Sequence, residues 1–276
     1  MSTSKVTKTK AHEADQVASS KGSSLERMLA VLDLFSEEAP VWSVDELSAA
    51  LDYTRSTGYR YAKELTDAGL LFQVNKTRYT LGARIIQWDR QLRVSDPMVR
   101  AAQALEPALP ALAEHQVWLF CRLFKDAVIC VHQSGELNSP VSYSRGSPRP
   151  LFMGATSKAI LAYLPTRQHM RLFVEKPQEI QQSNLGATWD EFRKSLQDIR
   201  RDGYAISIAE VDKGVFGVAA PVFDAEGRIA GSITCVRAIG AHDPRELPGE
   251  ADAVVQMGSE LSQQMARFAA VSPASR

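Results

Sequence analysis

"SVDELSAALDYTRSTGYRYAKELTDAGLLFQVNKTRYTLG", residues 43–82, decides how the first part of the chain folds. Ser43 followed by Glu46 is a capping box. The hydroxyl accepts from a free first-turn amide, and the carboxylate reaches back to the cap. Leu47 and Leu51 give the short helix that follows a buried face. "YT" interrupts the pattern, and Thr54 caps a second helix with Tyr61 and Leu65 on its inner side. Gly69 suits the left-handed position that closes it. Two short helices joined by a tight turn, the second polar and basic at its start, describe a helix-turn-helix. "LLFQVNKTRYTLG" then alternates apolar and polar residues about the turn-prone Asn75-Lys76 pair. That is a β-hairpin, placed as the wing of a winged helix.

The second helix presents Arg55, Ser56, Thr57, Tyr59 and Arg60 near its outward-facing start. Arginine makes bidentate contacts to guanine, while hydroxyls suit phosphates or base edges. Lys76 and Arg78 at the wing tip are placed to reach backbone phosphates or the minor groove. Residues 43–84 carry six basic and five acidic side chains, so the domain is barely positive. The acids at Asp45, Glu46, Glu64 and Asp67 are expected to sit apart from Arg55, Arg60, Lys76 and Arg78. Winged helices also serve as protein-interaction modules, and that reading stays open.

Outward from this stretch, "SSLERMLAVLDLF" places Leu25, Met28, Leu32 and Phe35 on one helical stripe. The preceding Ser/Thr/Lys-rich residues have too few apolar side chains to order themselves, so residues 1–23 are expected to be a disordered tail. They also lack the apolar region of a signal peptide. With 32 Lys plus Arg against 32 Asp plus Glu, no global field draws the chain to nucleic acid, and any basic surface is local. No apolar run is long enough to span a membrane. Cys121, Cys130 and Cys235 are odd in number and lack metal spacing, which points to buried, reduced thiols in a cytoplasmic protein.

After the wing, "ARIIQWDRQLRVSDPMVRAAQALEPALPALAEH" puts Ile86, Trp88 and Leu92 on an apolar helical surface, interrupted at Asp96-Pro97. Such a helix either pairs with a copy of itself or packs on its own chain. From Trp118 onward the pattern becomes strand-like, with a hairpin about Lys125-Asp126. A helix capped by Thr188 and Glu191 ends at Gly203, two long strands flank "DAEG", and an amphipathic helix covers 250–268. Hairpins and helices without βαβ regularity predict an α+β domain with a mostly antiparallel sheet.

"SLERMLAVLDLF", "LSAALDYTRSTGYRYAKELTDAGLL", "YTLGARI", "GATSKAILAYLP" and "IRRDGYAISIAEVDKGVFGVAAPVFDAEGRIAGSI" together resemble the IclR family of bacterial transcriptional regulators, in the family's order and spacing. The resemblance implies a winged helix over 24–82, a linker helix over 83–98 and a GAF-like effector domain over 99–270. It further implies a cytoplasmic regulator of catabolic genes that binds a near-palindromic operator as a homodimer or tetramer, with no cofactor. The effector would be a small organic acid held by Gly154, Ala155, Ser207, Val215, Gly217, Thr234 and Val236. Val215, Gly217 and Val236 are smaller or less polar than the side chains of several members. That suggests an apolar pocket suited to an aromatic or otherwise bulky acid. Phe152, Met153, Phe216 and Trp118 are candidate walls or plain core. Arg145 and Arg149 either neutralise a carboxylate or stand in a solvated loop.

The run "GATSK" at 154–158 invites a nucleotide reading, which fails on spacing. A phosphate loop needs Gly-x-x-x-x-Gly-Lys-Ser/Thr, and here Ser157 precedes Lys158 and Ala159 follows it. Ser157 has no sequence-local base; His132, His169 and His242 form no triad pattern, so no catalytic residue is nominated. No metal-ligand spacing appears either. The loop is expected to offer the free amides of Gly154 and Ala155 to an anion, with Lys158 in solvent. A small-molecule-binding enzyme with a helical appendage is the rival from another class.

Overall fold

The computed structural model describes residues 22–112, 115–137, 144–239 and 247–270. Most of the expected tail, His242 and the last six residues lie outside them. The chain divides into two compact units between Arg93 and Val94.

In the first unit, α1 (Ser24–Leu29) starts at a capping box of Ser23 and Glu26. It gives way to a 3₁₀ turn, Leu32–Leu34. The tighter winding shifts the phase of the apolar stripe. Met28, Leu32 and Phe35 pack against the core and Val31 enters it, while Leu25, expected inside with them, is 61% exposed. The Ser43–Glu46 box forms as read, with both hydrogen bonds made. It starts α2 (Val44–Ala50), directly after the short strand β1 (Trp42–Ser43). Thr54 caps α3 (Arg55–Asp67), its hydroxyl accepting from the Thr57 amide. The two helices cross at Gly58, where an added Cβ would lie 2.0 Å from Ser48 Oγ. Gly69 closes α3 at φ +72°, and the Leu70 amide reaches back to the Leu65 carbonyl. The wing pairs β2 (Leu71–Asn75) with β3 (Arg78–Leu81), and β1 joins as the third strand in the order β1-β3-β2. The hairpin turn falls at Lys76-Thr77, one residue later than expected, because Asn75 Oδ1 accepts from the Thr77 and Arg78 amides. Leu47, Leu51, Tyr61, Leu65, Leu70 and Leu71 close the core. Helix α4 (Arg84–Ser95) follows with no buried residue.

The second unit is built on a six-stranded antiparallel sheet ordered β6-β5-β4-β9-β8-β7. Its strands are β4 (Gln116–Phe124), β5 (Ala127–Glu136), β6 (Pro148–Pro150), β7 (Ala205–Ile208), β8 (Val215–Phe223) and β9 (Ile229–Ala238). Strand alternation sends side chains to two separate cores. On one face Val117, Leu119, Cys121, Val128, Val215 and Val236 meet α6 (Ala155–Leu161), α7 (Thr166–Glu175), α8 (Pro177–Gln182) and α9 (Trp189–Asp202). On the other, Trp118, Phe120, Phe216, Val218 and Ile233 meet α5 (Pro97–Leu105) and α10 (Leu247–Ala270). Both faces of the sheet are covered. Thr188 and Glu191 cap α9, and Gly203 ends it at φ +80°, as read.

Candidate DNA interface and effector site

The helix-turn-helix presents its nominated residues outward. Arg55, Ser56, Tyr59 and Arg60 are exposed along the first turns of α3, and Thr57 is half-buried. Lys76 and Arg78 are exposed on the wing. The arginines are not unaccompanied, however. Arg55 Nε lies 2.8 Å from Asp45 and packs over the Tyr59 ring, while Arg78 lies 3.7 Å from Glu46. The expected separation of acids from groove-facing cations is therefore wrong at these two pairs. The capping box puts Asp45 and Glu46 in the first turn of α2, within reach of both α3 and the wing. Such exposed pairs are worth about 0–1 kcal/mol, so a phosphate can displace the carboxylate at little cost.

On the α6 face of the sheet, the residues nominated for a ligand come together. Ser207 pairs with Gly217 across β7 and β8, and Gly217 pairs with Val236 across β8 and β9. A Cβ built on Gly217 would sit 3.3 Å from Ser207 Oγ and 3.7 Å from both Ala155 Cβ and Thr234 Cγ2. Five residues from three strands and one helix thus bound one small region. Ala155, Val215, Thr234 and Val236 are all buried. Two polar neighbours escaped the sequence reading: Thr156 Oγ1 lies 2.9 Å from Thr234 Oγ1, and Ser232 Oγ donates to the Thr156 carbonyl at 3.0 Å. The period-2 signal for Ser232 was present, two positions before Thr234 on the same face.

The loop at "GATSK" differs from the expectation of free amides and a solvated Lys158. Gly154 has φ +83°, a left-handed value that favours glycine. Its amide is not free: it donates to Glu210 Oε2 at 2.9 Å. Nor is Lys158 in solvent. It is 5% exposed, and its ammonium lies 2.5 Å from Glu210 Oε1. Every residue of α6 is buried, because the helix is covered on all sides, so its one cation has to bring a partner. Glu210 and Asp212 were missed. Acids in a strand-to-strand loop are ordinarily solvated, so their sequence carried no warning.

Arg149 is likewise no solvated loop residue. It is 8% exposed beside Val128, and its guanidinium lies 3.9 Å from Asp212. Arg145 donates to the Val131 carbonyl. Of the four candidate walls, Phe152 packs on the α6 face, whereas Trp118 and Phe216 belong to the opposite core. Alternation along β4 and β8 turns those two away from the site. Hollows of about 400 and 150 Å³ in this unit are lined by other residues.

No arrangement for nucleophilic catalysis forms among the described residues. Ser157 Oγ is buried without a hydrogen-bond partner, His132 Nε2 sits 2.5 Å from Glu106, and His169 Nε2 sits 2.7 Å from the Leu161 carbonyl. Cys121, Cys130 and Cys235 are buried and free, and burial pushes the Cys235 thiol up to about 12. No group of three His, Cys, Asp or Glu among the described residues is placed to hold a metal ion. None of the described helices is long and apolar enough to cross a membrane.

The chain thus joins a winged helix to a domain built on an antiparallel sheet with helices on both faces. Residues 24–74 match the IclR helix-turn-helix domain, and residues 101–263 match the C-terminal domain of bacterial IclR transcriptional regulators. The chain belongs to the IclR family: it is a transcriptional regulator with a DNA-binding helix-turn-helix and a ligand-binding C-terminal domain. Among curated relatives, the regulator ArcR of Halobacterium salinarum is 24% identical over 84% of this chain and 89% of its own. An IclR regulator from Silicibacter superposes with a TM-score of 0.75 at 18% identity, covering 88% of this chain and 96% of that one. An IclR homologue from Microbacterium hydrocarbonoxydans, solved in complex with 4-hydroxybenzoate, superposes with a TM-score of 0.70 at 17% identity, covering 89% of this chain and all of that one.

Proposed function

We propose that this regulator binds a near-palindromic operator as a homodimer or tetramer, and that a small organic acid, aromatic in preference to aliphatic, changes its hold on DNA. The observation that carries the reading is the convergence of Ala155, Ser207, Gly217 and Thr234 on one region of the sheet. The Ser207 and Thr234 hydroxyls there suit a polar head group, while Val215, Val236 and Phe152 suit an apolar body. The 4-hydroxybenzoate bound by one structural neighbour supports an aromatic acid as the first candidate.

On the DNA side, Arg55, Ser56, Thr57, Tyr59 and Arg60 read the groove, and Lys76 and Arg78 hold its edges. Ile86, Trp88 and Leu92 support self-association, since they are 72, 45 and 56% exposed on a helix that buries nothing. Replacing Trp88 and Leu92 with Ser shifts the protein toward monomer in sedimentation velocity; an unchanged oligomer removes this helix from the interface. The functional test uses DNA from upstream of the protein's own gene. Fluorescence anisotropy is expected to give salt-sensitive binding that aromatic acids alter and their amides do not. DNA affinity indifferent to every acid tested sinks the effector reading.

A further inference from the structure

The segment between β7 and β8, residues 209–214, turns both of its carboxylates inward. Glu210 bridges the Gly154 amide and the Lys158 ammonium, with its side chain 12% exposed. Asp212, 14% exposed, lies by the buried Arg149 of β6. The segment leaves β7 through Ala209 at φ +52°, a conformation uncommon for a residue with a side chain. Lys213 at its tip is exposed. Two buried cations on separate elements therefore hold one short strap by its acids. The Lys158 ammonium and the Gly154 amide make a complete carboxylate-binding pair, and a side chain of the same molecule already fills it.

Resting on the reading that this face senses an organic acid, we propose that Glu210 is a tethered competitor of the effector. An acidic effector binds by taking Lys158 and the Gly154 amide from Glu210, and the strap at 209–214 is thereby released. The exchange swaps one carboxylate for another on the same cation, so no buried charge is left unpaired at its end. A neutral analogue cannot make the exchange, which gives the site its selectivity for acids.

The test uses the full-length protein, with 4-hydroxybenzoate as probe and 4-hydroxybenzamide as the uncharged control. Glu210→Gln removes the competing charge, and calorimetry is expected to show 4-hydroxybenzoate binding at least tenfold tighter than in wild type, the amide being unaffected. Equal affinity in the two proteins, an equal gain for the amide, or no binding of the acid to Glu210→Gln overturns the proposal. Should Glu210→Gln not fold, Glu210→Asp keeps the charge at a shorter reach and is expected to show a smaller gain of the same sign, with no gain counting against the proposal. In wild type, saturating acid is expected to speed amide hydrogen exchange across 209–214; slower or unchanged exchange also counts against it. Gly217→Leu separates this idea from the one beneath it. Loss of acid binding in Gly217→Leu together with unchanged affinity in Glu210→Gln refutes only the competitor. Undiminished binding in Gly217→Leu refutes the effector site itself.

Discussion

Two helix starts in this molecule carry similar letters and do opposite work. α3 opens "TRST" behind a side-chain cap, and α6 opens "GATSK" behind a glycine with no side-chain cap. Each offers hydroxyls and a cation within its first turn or so. Arg55 of α3 is an exposed cation in an exposed pair, with Arg55 and Asp45 side chains 70 and 63% accessible. Lys158 of α6 sits in a pair whose side chains are 7 and 12% accessible. An exposed pair exchanges partners readily, because water replaces whatever leaves. A buried pair does not, because the departing charge leaves an unsolvated one behind. The same chemistry is thus available to an outside polyanion at α3, and at α6 it is reserved until something equivalent to Glu210 arrives.

The largest effect should come from breaking the buried pair. Lys158→Ala is expected to destabilise the second unit by about 3–5 kcal/mol in urea unfolding, since Glu210 is left buried and alone. Arg55→Ala should change stability by no more than about 1 kcal/mol in the same assay. Equal costs at the two sites would erase the distinction. The order reverses for DNA: Arg55→Ala and Arg60→Ala are each expected to cost roughly 1–3 kcal/mol of operator binding by anisotropy, with the fold retained. Full affinity in both variants takes α3 out of the groove.

Stability should also follow pH through His169. Burial, and to a lesser degree the nearby Arg200, hold the imidazole below its ordinary pKa of 6.5, while its backbone bond to Leu161 acts in the opposite direction. A lowered value means the unfolded chain binds the proton first. Stability contributed by this group is therefore complete above about pH 6.5 and falls as the pH drops toward the folded value. Thermal melts between pH 7 and 5 should show this slope, and His169→Gln, which keeps an N–H donor but does not titrate, should flatten it. The smallest effects belong to the wing. Lys76→Ala is expected to weaken binding to all sequences and to lower the salt slope by about one unit. Asp45→Asn, which frees Arg55 from its carboxylate, should tighten DNA binding severalfold at most. A change in base preference from Lys76→Ala would mean that the wing reads sequence.

What local chemistry settles was legible without a structure. The Ser43–Glu46 and Thr188–Glu191 capping boxes, the Thr54 cap, the left-handed Gly69 and Gly203 and the hairpins about Lys125-Asp126 and "DAEG" all depend on residues close in sequence, and all form. The family resemblance, and no pattern in the residues themselves, singled out Ser207, Gly217 and Thr234, which the fold brings to one place. Burial of charge was not legible, because it depends on what covers a residue from distant parts of the chain. Lys158 and Glu210 are separated by 52 positions, and Arg149 and Asp212 meet across a similar gap. Nothing in "GATSK" announces that its helix is covered on every side, nor in "AEVDKG" that its acids turn inward. Trp118 and Phe216 went to the opposite core for the same kind of reason: the parity of their strands is readable, but which face holds which helices is decided only when the sheet is assembled. Short-range hydrogen bonding determined the elements, and long-range desolvation decided which of their charges remain available.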